Sequence, residues 1–241
     1  MKNLKGLVLC GGPGTRLRPI TYYFQKALIP IGVRQKPLLE YIVRLLKFHG
    51  VVDLAFLVEY KAEQIVNYFD DGARFGVNIS YVRDIPKYKG TAGSILNALK
   101  KGVADTDDTL LIYYGDIVTT MDLIELINYH KSHEAVATVA LASGFTVRVG
   151  LADLSKDGKI LGFVEKPKFD KPVSMGILVL EGSIVNDIEA SFPKRGGSDL
   201  MKDVIPHLLK TEKPVYGYLS NAFWYDIGSV EAYEKLDHNY I

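Results

Sequence analysis

A glycine-rich segment followed by two cations lies near the start of the chain. The segment is Gly11-Gly12-Pro13-Gly14-Thr15; Arg16 follows it directly, and Lys26 stands further along. The preceding run, residues 6–10, is apolar and typical of a buried parallel strand. Glycines just beyond such a strand let backbone N–H groups approach phosphate oxygens closely, and the cations would add charge. The pattern favours a nucleoside triphosphate, although a simple turn explains the glycines alone equally well.

The spacing of this segment excludes two better-known phosphate motifs. A dinucleotide-binding fingerprint requires a third glycine three residues after Gly14, and Leu17 stands there. The Walker motif requires Gly-Lys-Ser or Gly-Lys-Thr, which the segment lacks. Any triphosphate site here must therefore belong to another class of enzyme or binding protein.

Two aspartates come directly after apolar runs further along the chain. Asp116 follows the run 110–114 and Gly115, and Asp226 follows Trp224-Tyr225. A carboxylate beyond the C-terminal end of a buried parallel strand lies where open α/β sheets bind their ligands. Mg²⁺ is commonly bound by one or two carboxylates together with substrate phosphates. Taken singly, each aspartate could equally be a helix cap or a turn residue.

Five segments, in this order along the chain, resemble the signatures of the sugar-1-phosphate nucleotidyltransferases, also called nucleotide-sugar pyrophosphorylases. They are Gly11-Gly12-Pro13-Gly14-Thr15-Arg16-Leu17-Arg18-Pro19 with Lys26, Gly90-Thr91-Ala92-Gly93, Gly115-Asp116, Phe163-Val164-Glu165-Lys166-Pro167 and Trp224-Tyr225-Asp226-Ile227-Gly228. The resemblance extends from residue 4 to about residue 240. It therefore covers essentially the whole chain.

The resemblance implies attack of a hexose-1-phosphate on the α-phosphorus of a nucleoside triphosphate, giving a nucleotide sugar and pyrophosphate. It implies Mg²⁺ as the cofactor, with Asp116 and Asp226 as its ligands. It gives catalytic roles to Arg16, Lys26 and Lys166. The nucleotide-binding residues it implies are Leu9, Gly11, Gly12, Gly14, Thr15, Arg16, Gly90, Thr91, Gly93 and Asp116. Those implied for the sugar phosphate are Gly150, Glu165, Lys166, Ser174 and Gly176.

Three segments depart from the family pattern. Gln25-Lys26-Ala27 stands where Pro-Lys-Pro is usual, Tyr114 where asparagine is frequent, and Ser174-Met175-Gly176 where Asn-Ala-Gly is common. The last departure leaves the sugar open. The Gly90 to Gly93 segment resembles mannose-1-phosphate guanylyltransferases, but glucose-1-phosphate uridylyl- and thymidylyltransferases have related segments.

Two other function classes compete with this enzyme. A non-catalytic, nucleotide-sugar-binding regulatory subunit would keep the fold but lose charged groups. The chain retains Arg16, Lys26, Asp116, Lys166 and Asp226, which favours the enzyme. A glycosyltransferase with a similar α/β nucleotide site would usually show an Asp-x-Asp metal motif, and this class is set aside because no such motif is expected here.

The order of apolar segments predicts the architecture that would position these residues. Strands and helices alternate with short connections in the first half, a pattern typical of βαβ units. We expect an α/β fold with a Rossmann-like, mainly parallel mixed sheet flanked by helices, and a smaller β-rich, sugar-binding portion. One domain is expected over residues 1–241, with a nucleotide-binding half, 1–134, and a sugar-binding half, 135–241. Predicted strands in the second half are 136–141, 147–154, 160–165 and 173–180, with Lys156-Asp157-Gly158-Lys159 as a hairpin turn. A helix is predicted over 199–209.

Composition excludes several partners. Lys plus Arg number 29 and Asp plus Glu 28, so the net charge of +1 gives no reason to expect nucleic acid or an anionic membrane. No apolar stretch reaches the ~18 residues of a membrane span, and the N-terminal residues enter a strand, so we expect a cytoplasmic protein. Cys10 is the only cysteine and is predicted to be a core residue. We expect no C-terminal β-helix, and a homo-oligomer is compatible with the sequence.

Overall fold

A seven-stranded sheet forms the centre of the protein. The structure is a computed structural model, and it describes residues 3–143, 145–146, 149–169, 171–192 and 196–237. The strands are β1 (Leu4–Leu9), β2 (Pro30–Ile31), β3 (Lys36–Pro37), β4 (Asp53–Val58), β5 (Asn78–Arg83), β6 (Thr109–Tyr114), β7 (Ile117–Thr119), β8 (Ala137–Ala142), β9 (Phe145–Thr146), β10 (Leu151–Leu154), β11 (Ile160–Val164), β12 (Lys168–Phe169), β13 (Val173–Glu181), β14 (Val215–Ser220) and β15 (Trp224–Asp226). The α-helices are α1 (Leu38–Phe48), α2 (Ala62–Phe69), α3 (Gly90–Lys100), α4 (Leu123–Ser132), α5 (Val185–Ala190), α6 (Ile205–Lys210) and α7 (Val230–Glu234).

The central sheet is mainly parallel, as predicted. Its strand order is β14-β8-β13-β6-β1-β4-β5. β1 pairs in parallel with β4 and β6, β4 with β5, and β14 with β8, whereas β13 runs antiparallel to both of its neighbours. The interior strands are continuous apolar runs because both of their faces are covered. The predicted α/β fold with a mixed sheet is therefore confirmed.

Helices cover both faces of this sheet. Alternate residues of β6 point to opposite sides, so that Leu111 joins one apolar cluster and Ile112 the other. The first cluster includes residues of α1, α2 and α4, and the second includes residues of α3, α5 and α6. Cys10 is buried in the first cluster, as predicted, and burial raises the pKa of its thiol. The fold therefore has three layers, with the sheet between two layers of helices. Because both faces of the sheet are covered, we expect ligands to bind at the ends of the strands and in the loops that follow them.

The edge at which β1 and β6 end is the part of the fold that positions the predicted site. The two strands pair in register, with Leu9 opposite Tyr114. The ladder continues beyond them, since the Gly115 N–H donates to the Leu9 carbonyl at 3.0 Å. The glycine segment after β1 and Asp116 after β6 therefore leave the sheet side by side.

Short two-stranded sheets make up much of the second half. β10 pairs with β11, β9 with β12, and β7 with β15. The predicted turn between β10 and β11 is confirmed, with Gly158 at φ +86° and its N–H donating to the Ser155 carbonyl at 3.0 Å. Nothing in this arrangement tests the division into nucleotide- and sugar-binding halves, which stays a prediction.

Several predicted boundaries differ from the structure. The strand predicted over 147–154 is observed from Leu151, while Val147 and Arg148 lie outside the described residues. The helix predicted over 199–209 is a π-helical segment, Leu200–Val204, followed by α6. Helix α4 has no counterpart in the prediction; the Asp122 side chain caps it by accepting from the N–H groups of Ile124 and Glu125. Within the described ranges, no helix has the length and apolar character needed to cross a membrane.

Candidate functional site

The glycine segment forms one wall of an open cleft at the end of β1. Gly14 has φ +58°, a conformation that favours glycine, and begins a 3₁₀ turn over Thr15–Leu17. The Thr21 hydroxyl donates to the Gly14 carbonyl at 2.9 Å and closes this loop on itself. The cleft has a volume of about 200 Å³ and is lined by Pro13, Gly14, Thr15, Arg16, Lys26 and Gly228. Both predicted cations thus face the same opening as the glycine backbone.

Lys26 and Asp116 form an ion pair at the floor of this region. Lys26 Nζ lies 2.5 Å from Asp116 Oδ2, and both side chains are largely buried. A smaller cavity of about 70 Å³ adjoins the pair, lined by Leu9, Cys10, Gly12, Gln25, Lys26, Ala27, Gly115 and Asp116. Leu9, Gly12, Lys26 and Asp116, which sequence analysis assigned to one site, therefore share one cavity.

Asp226 lies beside Asp116 although the two are distant in sequence. The short pairing of β15 with β7 places Asp226 opposite Ile117, and the Ile227 N–H donates to the Asp116 carbonyl at 2.9 Å. Burial, and secondly the charge of Asp116, raise the pKa of Asp226, while Lys26 and Arg16 act in the opposite direction. Two adjacent carboxylates under mutual repulsion suit a divalent cation. These donors fit Mg²⁺, which takes one or two carboxylates and completes its shell with phosphate oxygens and water.

Gly228 explains how Arg16 reaches the acidic pair. A Cβ on Gly228 would lie 2.9 Å from an Arg16 guanidinium nitrogen and 2.9 Å from Asp226 Oδ1. Only a residue without a side chain allows both groups to approach the backbone at this point. Arg16, Lys26, Asp116 and Asp226 are thus gathered around one cleft.

Part of the predicted sugar-phosphate site lies against the same floor. Gly176, at φ +72°, packs so closely on the end of β6 that a Cβ would be 3.0 Å from the Ile117 side chain and 3.4 Å from that of Tyr114. Its N–H donates to the Ser174 hydroxyl at 3.3 Å. The Trp224 indole N–H donates to the Met175 carbonyl at 2.8 Å, which ties this segment to the strand bearing Asp226.

The remaining predicted sugar residues form a second group on the β10–β11 hairpin. A Cβ on Gly150 would lie 2.9 Å from Glu165 Oε2, so these two residues are neighbours. Lys166, at φ +47°, has its ammonium 4.0 Å from Glu165 in an exposed pair. Among the described contacts, no hydrogen bond or ion pair joins Glu165 or Lys166 to Asp116 or Asp226. The structure therefore brings Gly150, Glu165 and Lys166 together.

The Gly90 to Gly93 segment is occupied by structural contacts. Gly90, at φ +84°, begins α3, and a Cβ there would lie 2.4 Å from the Ser198 carbonyl oxygen. The Thr91 hydroxyl accepts from the Leu200 N–H at 2.8 Å. A Cβ on Gly93 would meet the Tyr88 backbone at 2.5 Å. Contact of this segment with the nucleobase stays a prediction.

We expect Gly93→Ala to lower the free energy of unfolding, because the new methyl group would overlap the Tyr88 backbone. Overpacking of this kind costs about 1 to 3 kcal/mol. Urea denaturation would measure the change, with Gly12→Ala as the matched control because nothing lies within 4 Å of its Cβ position. Equal stability of the two variants would contradict the tight packing of α3 on Tyr88.

Sequence analysis missed Asp84, which lies beside the start of the glycine segment. Its Oδ2 would be 3.1 Å from a Cβ on Gly11, and its Oδ1 is buried and accepts no hydrogen bond from the described residues. Burial, and then the charge of Glu59, raise the pKa of this carboxyl, while the Ser94 hydroxyl lowers it. The sequence does contain a signal for this residue. Asp84 directly follows β5, which ends on the same side of the sheet as β1 and β6.

One Asp-x-Asp triplet does occur in the chain, Asp105-Thr106-Asp107. It precedes β6, and the Asp105 carbonyl would lie 2.2 Å from a Cβ on Gly182, just beyond the end of β13. Because Glu181 of β13 pairs with Thr109, the first residue of β6, this triplet lies at the edge opposite Asp116. An Asp-x-Asp motif is therefore present, contrary to expectation. It lies away from Asp116, whereas glycosyltransferases that use such a motif bind metal with it beside the nucleotide.

Comparisons with known proteins agree with this geometry. Residues 5–241 match the family model described as nucleotidyl transferase. The chain is 33% identical to the UTP–glucose-1-phosphate uridylyltransferase of Synechocystis sp. over 95% of this chain and 61% of that protein. It is 28% identical to the mannose-1-phosphate guanylyltransferase of Mycobacterium tuberculosis, over 95% of this chain and 62% of that protein.

A solved structure shares the fold. The putative glucose-1-phosphate thymidylyltransferase from Bacillus anthracis superimposes with a TM-score of 0.76 at 24% identity, covering 96% of this chain and 93% of the other. By contrast, this chain spans about three fifths of the length of the curated relatives it matches. With the family model covering nearly every residue, the chain belongs to the nucleotidyl transferase family.

Proposed function

We propose that the protein is a Mg²⁺-dependent sugar-1-phosphate nucleotidyltransferase, which makes a nucleotide sugar and pyrophosphate from a nucleoside triphosphate and a hexose-1-phosphate. The observation that carries the proposal is the grouping of Lys26, Asp116, Asp226 and Arg16 around the glycine cleft. Two cations and two carboxylates at one opening can neutralise a polyphosphate and hold a divalent cation beside it. A binding protein without activity would have no need of this arrangement.

The reaction joins two anions, so the protein has to neutralise charge and align the reactants. Arg16 and Lys26 would contact the triphosphate and stabilise the charge that builds on pyrophosphate as it leaves. Lys166 would bind the phosphate of the sugar, and Glu165 would accept hydrogen bonds from sugar hydroxyls. The exposed position of Glu165 and Lys166 on the hairpin leaves both side chains accessible to the second substrate.

Asp116 and Asp226 would hold the metal ion. When bound, Mg²⁺ would offset the negative charge of the phosphate oxygens. Lys26, now paired with Asp116, lies within reach of the same carboxylate and would turn its ammonium toward the triphosphate when the substrate is present. The carboxylates therefore have a counter-charge before the substrates arrive.

We further propose guanine as the preferred base, in line with the resemblance to mannose-1-phosphate guanylyltransferases. The support is the Asp84 carboxylate beside Gly11. Guanine presents two adjacent donors, N1–H and the 2-amino group, and Asp84 Oδ2, the oxygen beside Gly11, could accept from both. Uracil and thymine present one N–H between two carbonyl oxygens, and a carboxylate repels those oxygens. No hexose is included in this proposal, because Ser174 stands where asparagine is common in the family pattern.

Asp84→Asn is expected to erase discrimination between GTP and ITP, which lacks the 2-amino group. The wild-type protein should prefer GTP about tenfold in kcat/KM, because one hydrogen bond to the carboxylate is lost with ITP. The ratio should approach one in the variant, because the negative charge that attracts the 2-amino group is removed. Asp107→Asn, an exposed aspartate at the opposite sheet edge, serves as the control. An unchanged ratio in Asp84→Asn would remove Asp84 from the base site.

A matrix of nucleoside triphosphates against hexose-1-phosphates, with pyrophosphate release as the readout, tests the proposed function directly. Turnover with at least one pair is expected, and GTP with mannose-1-phosphate is the pair to examine first. Binding of a nucleotide sugar without turnover of any pair would favour the regulatory subunit instead. Such a result would assign the four charged residues to binding alone.

A further inference from the structure

Gln25 is a buried polar residue directly before Lys26. Its side chain is 1% exposed, and it precedes the 3₁₀ turn Lys26–Leu28. Burial of an amide is costly unless its donor and acceptor are both satisfied. The Gln25 side-chain amide makes hydrogen bonds to two segments: the end of β1 and the turn that contains Lys26.

The Gln25 amide joins the Lys26 turn to the end of β1. Its Nε2 donates to the Cys10 carbonyl at 2.5 Å, directly before the glycine segment. Its Oε1 accepts from the Ala27 N–H at 2.5 Å and thereby caps the turn. Lys26 lies between Gln25 and Ala27, so its backbone is fixed on both sides relative to the phosphate loop.

A second glutamine holds the same segment from outside. Gln64, on α2, accepts from the Gln25 backbone N–H at 2.7 Å and donates to the Tyr23 carbonyl at 2.8 Å. Nearby, the Tyr60 hydroxyl donates to the Thr21 carbonyl at 2.9 Å. Helix α2 and the loop before it therefore hold residues 21–25 against the sheet.

The backbone of Gln25 is extended, with φ −66° and ψ 137°. A glutamine has no ring to fix φ, so contacts from other residues have to hold this conformation. The two amides provide them.

We propose that Gln25 and Gln64 are positioning residues for Lys26, because their hydrogen bonds hold the turn that contains it. The role of Lys26 at the triphosphate rests on the proposed function, whereas its placement by the two amides does not. Because Lys26 Nζ reaches Asp116 from this turn, a displacement of the turn moves the cation away from both the carboxylate and the triphosphate.

The test uses Gln25→Ala, Gln25→Pro and Gln64→Ala in the full chain. One readout is the rate at which trinitrobenzenesulfonate modifies Lys26, followed by peptide mass spectrometry; the other is kcat and KM for pyrophosphate release. Gln25→Ala should speed modification about tenfold, since two hydrogen bonds that hold the turn are lost. It should lower kcat about 100-fold with a smaller change in KM, because Lys26 is misplaced in the transition state.

Gln25→Pro keeps φ but loses both side-chain amide hydrogen bonds and the backbone N–H that donates to Gln64, so it should speed modification at least as much as Gln25→Ala. Gln64→Ala should speed modification about fivefold. Gln35→Ala is the matched control, since the Gln35 amide also donates to a backbone carbonyl, that of Gly32, but in the β2–β3 loop.

Two results would overturn the proposal. One is Gln25→Ala with Lys26 modification and kcat within about twofold of wild type; the other is Gln25→Pro with a wild-type rate of Lys26 modification. If Gln25→Ala does not fold, Lys26 modification in Gln64→Ala decides, and a wild-type rate there is the negative result. If no substrate pair gives turnover, the proposed function fails, while the modification rates still report whether the amides hold Lys26.

Discussion

Asp116→Asn and Asp226→Asn should each lower pyrophosphate release by at least about 1,000-fold at millimolar Mg²⁺, because each removes a charged oxygen that the metal and the phosphates need. The fold should persist in both variants. The Asp116 carbonyl, not its carboxylate, accepts the Ile227 N–H, and the β7–β15 pairing uses backbone atoms only. Loss of the largely buried ion pair with Lys26 should lower the free energy of unfolding of Asp116→Asn by about 1 to 3 kcal/mol.

Steady-state rates across a Mg²⁺ series, with thermal unfolding alongside, would measure both parts of this expectation. Removal of Mg²⁺ with a chelator should stop the wild-type reaction, and added Mg²⁺ should restore it. Asp107→Asn is again the control for loss of a carboxylate at the far edge of the sheet. Near-normal turnover in either variant would show that the corresponding aspartate does not serve the metal.

Lys26→Ala and Lys166→Ala should separate the two substrates. Lys26→Ala should mainly weaken use of the nucleoside triphosphate, because Lys26 lines the glycine cleft. Lys166→Ala should mainly weaken use of the sugar phosphate, because Lys166 lies with Glu165 on the hairpin. A cation lost from a phosphate site costs about 2 to 4 kcal/mol, or roughly 30- to 1,000-fold in kcat/KM.

Kinetics with each substrate varied in turn would show the separation. Lys101→Ala is a suitable control, since Lys101 is exposed at the end of α3. Identical kinetic profiles for the two variants would contradict a division of the reactants between the two lysines. An effect of Lys26→Ala on the sugar phosphate alone would reverse the assignment.

Local sequence patterns are enough to predict the part of the candidate site that the first half of the chain forms. An apolar run with glycines after it predicts β1 and its loop, and another apolar run with an acid after it predicts β6 and Asp116. Parallel strands end at one edge, so the nearness of the two segments needs no knowledge of tertiary contacts. This is why the Lys26–Asp116 region could be located before the structure was known.

The rest depends on contacts that leave no periodic trace in the sequence. Asp226 reaches Asp116 through a pairing of three-residue strands, too short for an alternation of apolar residues to reveal. Gln25 acts through backbone atoms of Cys10 and Ala27, which every sequence possesses. Asp84 gives the same signal as any turn aspartate after a strand. Only the assembled structure shows that these side chains meet around one loop.

Strand β13 is antiparallel to β6, and this direction decides which of its residues lie at the candidate site. Because β13 runs against β6, it begins where β6 ends, and Gly176 packs on Tyr114 and Ile117, the residues on either side of Gly115-Asp116. Nine residues at about 3.3 Å each place the two ends of such a strand about 30 Å apart, and a parallel β13 would begin at the opposite end of β6, with Gly176 toward the far side of the sheet. A single reversal of chain direction thus lets the start of one strand and the ends of two others meet, and strand polarity itself determines which residues form the candidate site.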